Sequence, residues 1–146
     1  MRTITFIVVH CSAVRPYQTS SADDIDKWHK RRKTHGIQWK GIGYHFVIRR
    51  DGTVENGRPI SETGAHVLNH NKHSIGICYE GGLDENGVKT DTRTPEQIKA
   101  LRQKLVELHE QFPKALIVGH RDLDPSRDCP CFDAINEYWD LQPLDK

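Results

Sequence analysis

The chain predicts an α/β fold: a single-domain mixed central β-sheet flanked by helices. Two observations carry that prediction. Several short runs of apolar, often β-branched residues have the length of buried strands. Amphipathic stretches with helix-capping signals, and clusters of turn-forming residues, lie between them. The 146 residues suit one domain with a real core and leave little room for two. One domain over 1–146 is therefore expected, with its core over about 3–139.

The elements follow in order. Thr3 to Val9 is a continuous apolar run, as in a central strand buried on both faces, and His10 stands at its end. Ser21-Ala22-Asp23-Asp24 starts a helix with acids in its first turn, running through Ile25 and Trp28 to about Lys33. Tyr44 to Ile48 is a second strand, Arg50-Asp51-Gly52-Thr53 is a hairpin turn, and Val54 opens the return strand. Residues 56–71 are loop-like. Ser74 to Tyr79 is a third core strand, and Asp84 to Asp91 is turn-rich. Thr94-Pro95-Glu96-Gln97 combines a good N-cap, proline at the first helical position and a capping box. Ile98, Leu101, Leu105 and Leu108 then recur at helical spacing to about Phe112. Ala115 to Val118 is the fourth core strand, and Phe132 to Trp139 a short helix.

Charge narrows the function. With 21 basic and 20 acidic residues the formal net charge is +1, so no nucleic-acid partner and no attraction to anionic membrane through bulk charge is expected. The basic run Lys30 to Lys33 reads as a solvated helix end. No stretch approaches the roughly 20 apolar residues that span a bilayer, so no membrane insertion is expected. The N-terminus lacks the long apolar region of a signal peptide. The protein is expected to be cytoplasmic and a monomer. Its four cysteines, Cys11, Cys78, Cys129 and Cys131, do not have the spacing of a disulfide framework.

The chemistry concentrates at two strand ends. His10 follows Val8-Val9, and His120 follows Val118-Gly119. A polar loop leads from His120 to Cys129-Pro130-Cys131, with the permanent cation Arg127 two residues before Cys129. Two imidazoles and a thiolate are donors that zinc prefers, and three protein ligands leave a fourth position open for catalysis. Residue chemistry leaves the choice between Cys129 and Cys131 open. Cys11, next to His10, belongs to the opposite face of its strand.

The ordered set Val9-His10-Cys11-Ser12-Ala13, Gly43-Tyr44-His45-Phe46, Arg50-Asp51-Gly52-Thr53-Val54, Gly64-Ala65-His66, Asn71, Ser74-Ile75-Gly76-Ile77, His120-Arg121-Asp122 and Cys129-Pro130 resembles the type 2 N-acetylmuramoyl-L-alanine amidases. These share their fold with phage lysozyme-type amidases and peptidoglycan recognition proteins. The likeness spans about Thr3 to Trp139, and the short chain with a cysteine as third ligand is most similar to the phage branch.

The resemblance implies a Zn2+ ion held by His10, His120 and Cys129. It implies cleavage of the amide between the lactyl group of N-acetylmuramic acid and L-alanine in bacterial peptidoglycan or muropeptides. Tyr44 matches the family's catalytic tyrosine. Arg127 stands where the family usually has lysine, so its expected role is electrostatic only. Where wall-recycling relatives carry a glutamate base this chain has Cys78, and Glu80 is too far along to replace it. His66 and Asn71 match positions that face the substrate groove; the alternative is hydrogen bonding within their loop. His45 is expected to be a core or supporting histidine. Trp28 and Trp139 are expected to pack, and Trp39 is a candidate glycan contact.

The leading expectation is a phage or prophage endolysin, cytoplasmic until released to the cell wall. A zinc-free peptidoglycan-binding module on the same fold, and an amidase that also binds its phage RNA polymerase, are the alternatives.

Overall fold

The computed structural model describes residues 2–34, 37–38 and 40–143. Trp39 lies outside them. At the centre is β1 (Phe6–Cys11). It pairs in parallel with β6 (Ser74–Tyr79) on one side and with β7 (Leu116–Gly119) on the other. β4 (Phe46–Ile48) joins the far side of β6 in parallel, and β5 (Val54–Asn56) pairs antiparallel to β4. The five-stranded sheet is therefore mixed, in the order β5-β4-β6-β1-β7. A separate ribbon pairs β2 (Lys33–Thr34) with β3 (Ile37–Gln38).

Strand alternation sends β1 side chains to both faces, which is why its sequence is apolar throughout. Ile7, Val9 and Cys11 face the main core with Ile75, Ile77 and Tyr79. The long helix α2 (Pro95–Gln111) covers that face with Leu101, Leu105 and Leu108. On the opposite face, Val8 packs with Val67 and Val118. Further along that face, Val47 and Cys78 pack beneath Ile25 of α1 (Ala22–Lys30).

The caps form as the sequence predicts. Thr94 and Gln97 make a reciprocal capping box at α2, and Ser21 and Asp24 make one at α1. Two details differ. Ile98 was expected in the buried stripe of α2 but is 42% exposed, and Gln97 takes the buried place. The Gln97 side chain spans the cap and the sheet: its Oε1 accepts from Thr94 N, and its Nε2 donates to Ile48 O and Glu80 O. Helix α1 ends at Lys30 rather than Lys33. The N–H groups of Arg31 and Arg32 fold back onto Trp28 O and His29 O, and Lys33 already pairs with Gln38.

After β7 the chain makes a single helical turn, α3 (His120–Leu123), where a loop was expected. The C-terminal segment forms α4 (Ala134–Glu137), capped by Asp133, and a 3-10 turn at Trp139–Leu141. Gln142 then lies along the outer edge of β7. Its Oε1 accepts from Ile117 N and its Nε2 donates to Ile117 O, each at 2.8 Å. Trp28 and Trp139 are more open than expected, at 41% and 52% exposure. Among the described residues no helix is long and apolar enough to cross a membrane.

Glu80 ties the ends of β4 and β6 to the segment before α1. Its carboxylate accepts from Ser20 N (2.6 Å), Arg49 Nε (3.1 Å) and Arg50 N (3.0 Å). Burial alone would raise its pKa, but these donors and the Arg49 charge hold it below the ordinary carboxylate value. This stabilisation is fully present above pH about 4.5 and is lost as pH falls through the lower folded-state pKa. Glu80→Ala, which strands two N–H groups and leaves Arg49 with Glu55 as its ion partner, is expected to cost about 3 kcal/mol near neutral pH. Urea denaturation should show that deficit, and show it shrinking in acid.

Candidate metal centre

The parallel register pairs Val9 with Gly119, so His10 and His120 follow the last paired residues of two adjacent strands. His10 is buried and shares the sheet face of Val8, away from α2. His120 begins α3, whose entry is fixed by Gly119 N donating to Asp122 Oδ2 at 2.7 Å. The two Nδ1 atoms stand 3.1 Å apart.

The third donor comes from the loop after α3. Arg127 N bonds Asp124 O, Cys131 N bonds Asp128 O, and Arg121 N bonds Cys129 O, so the loop doubles back on itself. Tyr79 reaches up from the core and donates its hydroxyl to Pro130 O at 2.6 Å. Gly119 makes room for this approach, since a Cβ there would sit 2.5 Å from Pro130 Cδ. Cys129 Sγ thereby arrives at the end of β1, where it accepts the Cys11 N–H at 2.8 Å.

His10, His120 and Cys129 each offer one donor atom, and the three atoms lie within 4.8 Å of one another. Among the described residues no other such group of three is present. Cys131 is outside it. Its backbone adopts a left-handed φ of 71°, and its sulfur lies against Gly82 O.

The donor set fits a zinc-type ion. Burial, followed by the neighbouring imidazoles of His66 and His120, holds His10 well below the usual histidine pKa. Burial and then the Arg127 charge lower His120. Both rings are thus neutral near pH 7, the form that binds metal. Bonds from zinc to nitrogen are roughly 2.0–2.1 Å, so two nitrogens at the observed spacing can share one ion.

Tyr44 and Arg127 flank this cluster in different ways. The Tyr44 ring is 5.0 Å from that of His10 and 5.5 Å from that of His29, which is itself fixed by Gly43 N donating to its Nδ1. Burial, then the adjacent Cys78 thiol, raises the Tyr44 pKa well above its ordinary value, so it remains a phenol. Arg127 is on the solvent side of the loop. Its side chain is 63% exposed, with Nε 3.6 Å from Asp124 Oδ2.

A profile of the N-acetylmuramoyl-L-alanine amidase family matches residues 1–132. The chain belongs to the N-acetylmuramoyl-L-alanine amidase family. An endolysin of Klebsiella phage KP32 is 41% identical over 138 residues, covering 94% of this chain and 87% of that one. Among solved structures, the N-acetylmuramoyl-L-alanine amidase LysC from Clostridium intestinale URNW aligns with a TM-score of 0.76 at 30% identity, covering 94% of this chain and 83% of that one. Drosophila PGRP-LB aligns at 0.75 with 21% identity, covering 100% and 86%, and shows likeness of fold.

Two further histidines of this amidase-family chain, His66 and His45, stand behind His10. His66 Nδ1 is 2.8 Å from His10 Nε2, and its Nε2 is 3.1 Å from Ser74 Oγ. Asn71 Oδ1 accepts from His66 N (2.8 Å) and Val67 N (2.9 Å), so that side-chain oxygen is spent holding the loop. His45 is buried, with Nδ1 accepting from Gly76 N and Nε2 donating to Glu62 O. Glu80, already engaged by arginines, lies outside the donor cluster.

Sequence reasoning missed three contributors: Ser74, the Cys11 backbone N–H and the His29 ring against Tyr44. A period-two reading of Ser74-Ile75-Gly76-Ile77-Cys78 would have put Ser74, Gly76 and Cys78 on the His10 face, as the register does.

His29 and His45 are each held at about 4, in both cases chiefly by burial. A histidine depressed in this way favours folding fully above the unfolded value of 6.5, and the benefit is lost as pH falls towards the folded value. Urea midpoints should therefore drop between pH 6.5 and about 4, and His45→Gln should flatten that dependence.

Proposed function

We propose that the chain is a zinc-dependent N-acetylmuramoyl-L-alanine amidase acting as a phage or prophage endolysin. It hydrolyses the amide between the lactyl group of N-acetylmuramic acid and L-alanine of the peptidoglycan stem, after release from the cytoplasm to the cell wall. The observation that carries this reading is the convergence of His10, His120 and Cys129 in a chain of this family. The endolysin relative and the LysC amidase structure support it.

His10 Nδ1, His120 Nδ1 and Cys129 Sγ would hold the ion, leaving one position for substrate chemistry. Zinc bound there supplies Lewis acidity and a water acidified towards neutral pH. The Cys11 N–H donates to Cys129 Sγ and fixes where that sulfur stands at the end of β1. Tyr44 keeps its proton on Oη and is a hydrogen-bond donor to oxygen in the reacting amide. Arg127 cannot shed its proton, so it contributes charge alone, offsetting the negative charge that develops on the lactyl carbonyl oxygen. Cys78 beside Tyr44 is buried and its thiol is pushed well up, which suits it to packing rather than to proton transfer.

Mass analysis of muropeptides after digestion tests the bond. Stem peptides with a free N-terminal alanine are expected, and a chelator should abolish them. Intact muropeptides that bind without being cut would instead identify a recognition module. Cys129→Ser should lose both zinc and activity while Cys131→Ser keeps both; the reverse pattern would reassign the ligand. Arg127→Ala should lower turnover by about 10²-fold if its charge faces the oxyanion, and unchanged turnover would leave it a surface charge.

A further inference from the structure

We infer that His66 is a positioning residue that holds the His10 ring in the tautomer able to donate from Nδ1, and is not a substrate contact. The inference rests on the metal reading above. It begins from the two nitrogens of His10. Nδ1 faces His120 Nδ1 at 3.1 Å, and Nε2 faces His66 Nδ1 at 2.8 Å. If Nδ1 is to offer its lone pair to an ion, the ring proton sits on Nε2. His66 Nδ1 is then the acceptor of that proton. The His66 proton consequently sits on its own Nε2, 3.1 Å from Ser74 Oγ. The assignment is consistent from Ser74 to the metal donor, and it engages both ring nitrogens of His66 within the protein.

The fold builds a seat for this ring. A Cβ on Gly76 would lie 2.7–2.8 Å from three atoms of the His66 ring, and one on Gly64 would lie 2.7 Å from its Cδ2. Both positions are bare where the ring lies against β6. The ring meets that of His10 edge to face, with centroids 4.9 Å apart. Its backbone is clamped by Asn71 Oδ1, and the next residue, Val67, is buried against Val8 and Val118. Ser74 and Gly76 are on the same face of β6 as Cys78, which pairs with His10. His66 is outside the donor cluster, and it approaches His10 from the side away from His120. It therefore acts through His10.

The experiment compares wild type, His66→Phe and His66→Gln by zinc competition against a chromogenic chelator, by the visible spectrum of the cobalt-loaded protein and by the melting point of the metal-free protein. His66→Phe should bind zinc about 10–100-fold more weakly and shift the cobalt spectrum, with the metal-free melting point little changed. His66→Gln, whose Oε1 can accept from His10 Nε2, should recover most of the affinity. Long-range proton–nitrogen spectra of the zinc-loaded wild type should show the His66 proton on Nε2. Should His66→Phe fail to fold, His66→Gln and these spectra still decide the matter. Wild-type zinc affinity in His66→Phe, or a His66 proton on Nδ1, overturns the inference and leaves the metal reading standing. A wild-type chain that takes up no zinc overturns the metal reading itself, and this inference with it.

Discussion

The parallel register between β1 and β7 is the constraint on which the site depends. Val9 pairs with Gly119, and the residue that follows each of them in the chain is a candidate donor histidine. More than a hundred residues of chain separate the two, yet backbone hydrogen bonding fixes them side by side. A one-residue slip of β7 would turn its apolar side chains to the wrong faces and move His120 away from His10. Burial of both sides of the sheet forbids that slip, so core packing and donor placement are enforced by the same contacts.

The third donor is held by a different device. The loop carrying Cys129 is anchored where the Tyr79 hydroxyl meets Pro130 O and the Cys11 N–H meets the Cys129 sulfur. Tyr79 belongs to the core under α2, whereas His10 points to the opposite face of the sheet. The centre thus draws on both layers at the edge where they meet. Behind it, neutral histidines surround His10 in place of carboxylates. They arrange hydrogen bonds around the site without adding negative charge to it.

The order of strands and helices was legible because long apolar runs, capping boxes and a tight hairpin turn are local signals. Ser74–Tyr79 and the start of α2 at Thr94 appear where those signals place them. What failed was decided beyond the local chain. Ile98 reads as part of an apolar stripe, but the stripe is set by where α2 meets β4 and β6, and there Gln97 answers two backbone carbonyls. The candidate donors His10, His120 and Cys129, with Cys129 preferred to Cys131, could be named from residue types and the family pattern, and the loop's path gives the physical reason why Cys131 stays outside the cluster. The role of His66 was not legible, because it depends on a bare patch at Gly76 in a strand read only for its apolar residues.

The Gln142 clasp on β7 bears on how one folded copy meets another. An outer parallel strand normally displays open amide and carbonyl groups that can recruit another copy. Here a side-chain amide caps the Ile117 pair from within the same chain, and the opposite border is a strand of only three residues. Neither margin offers a long template for strand addition, which favours keeping the folded protein dispersed at high concentration.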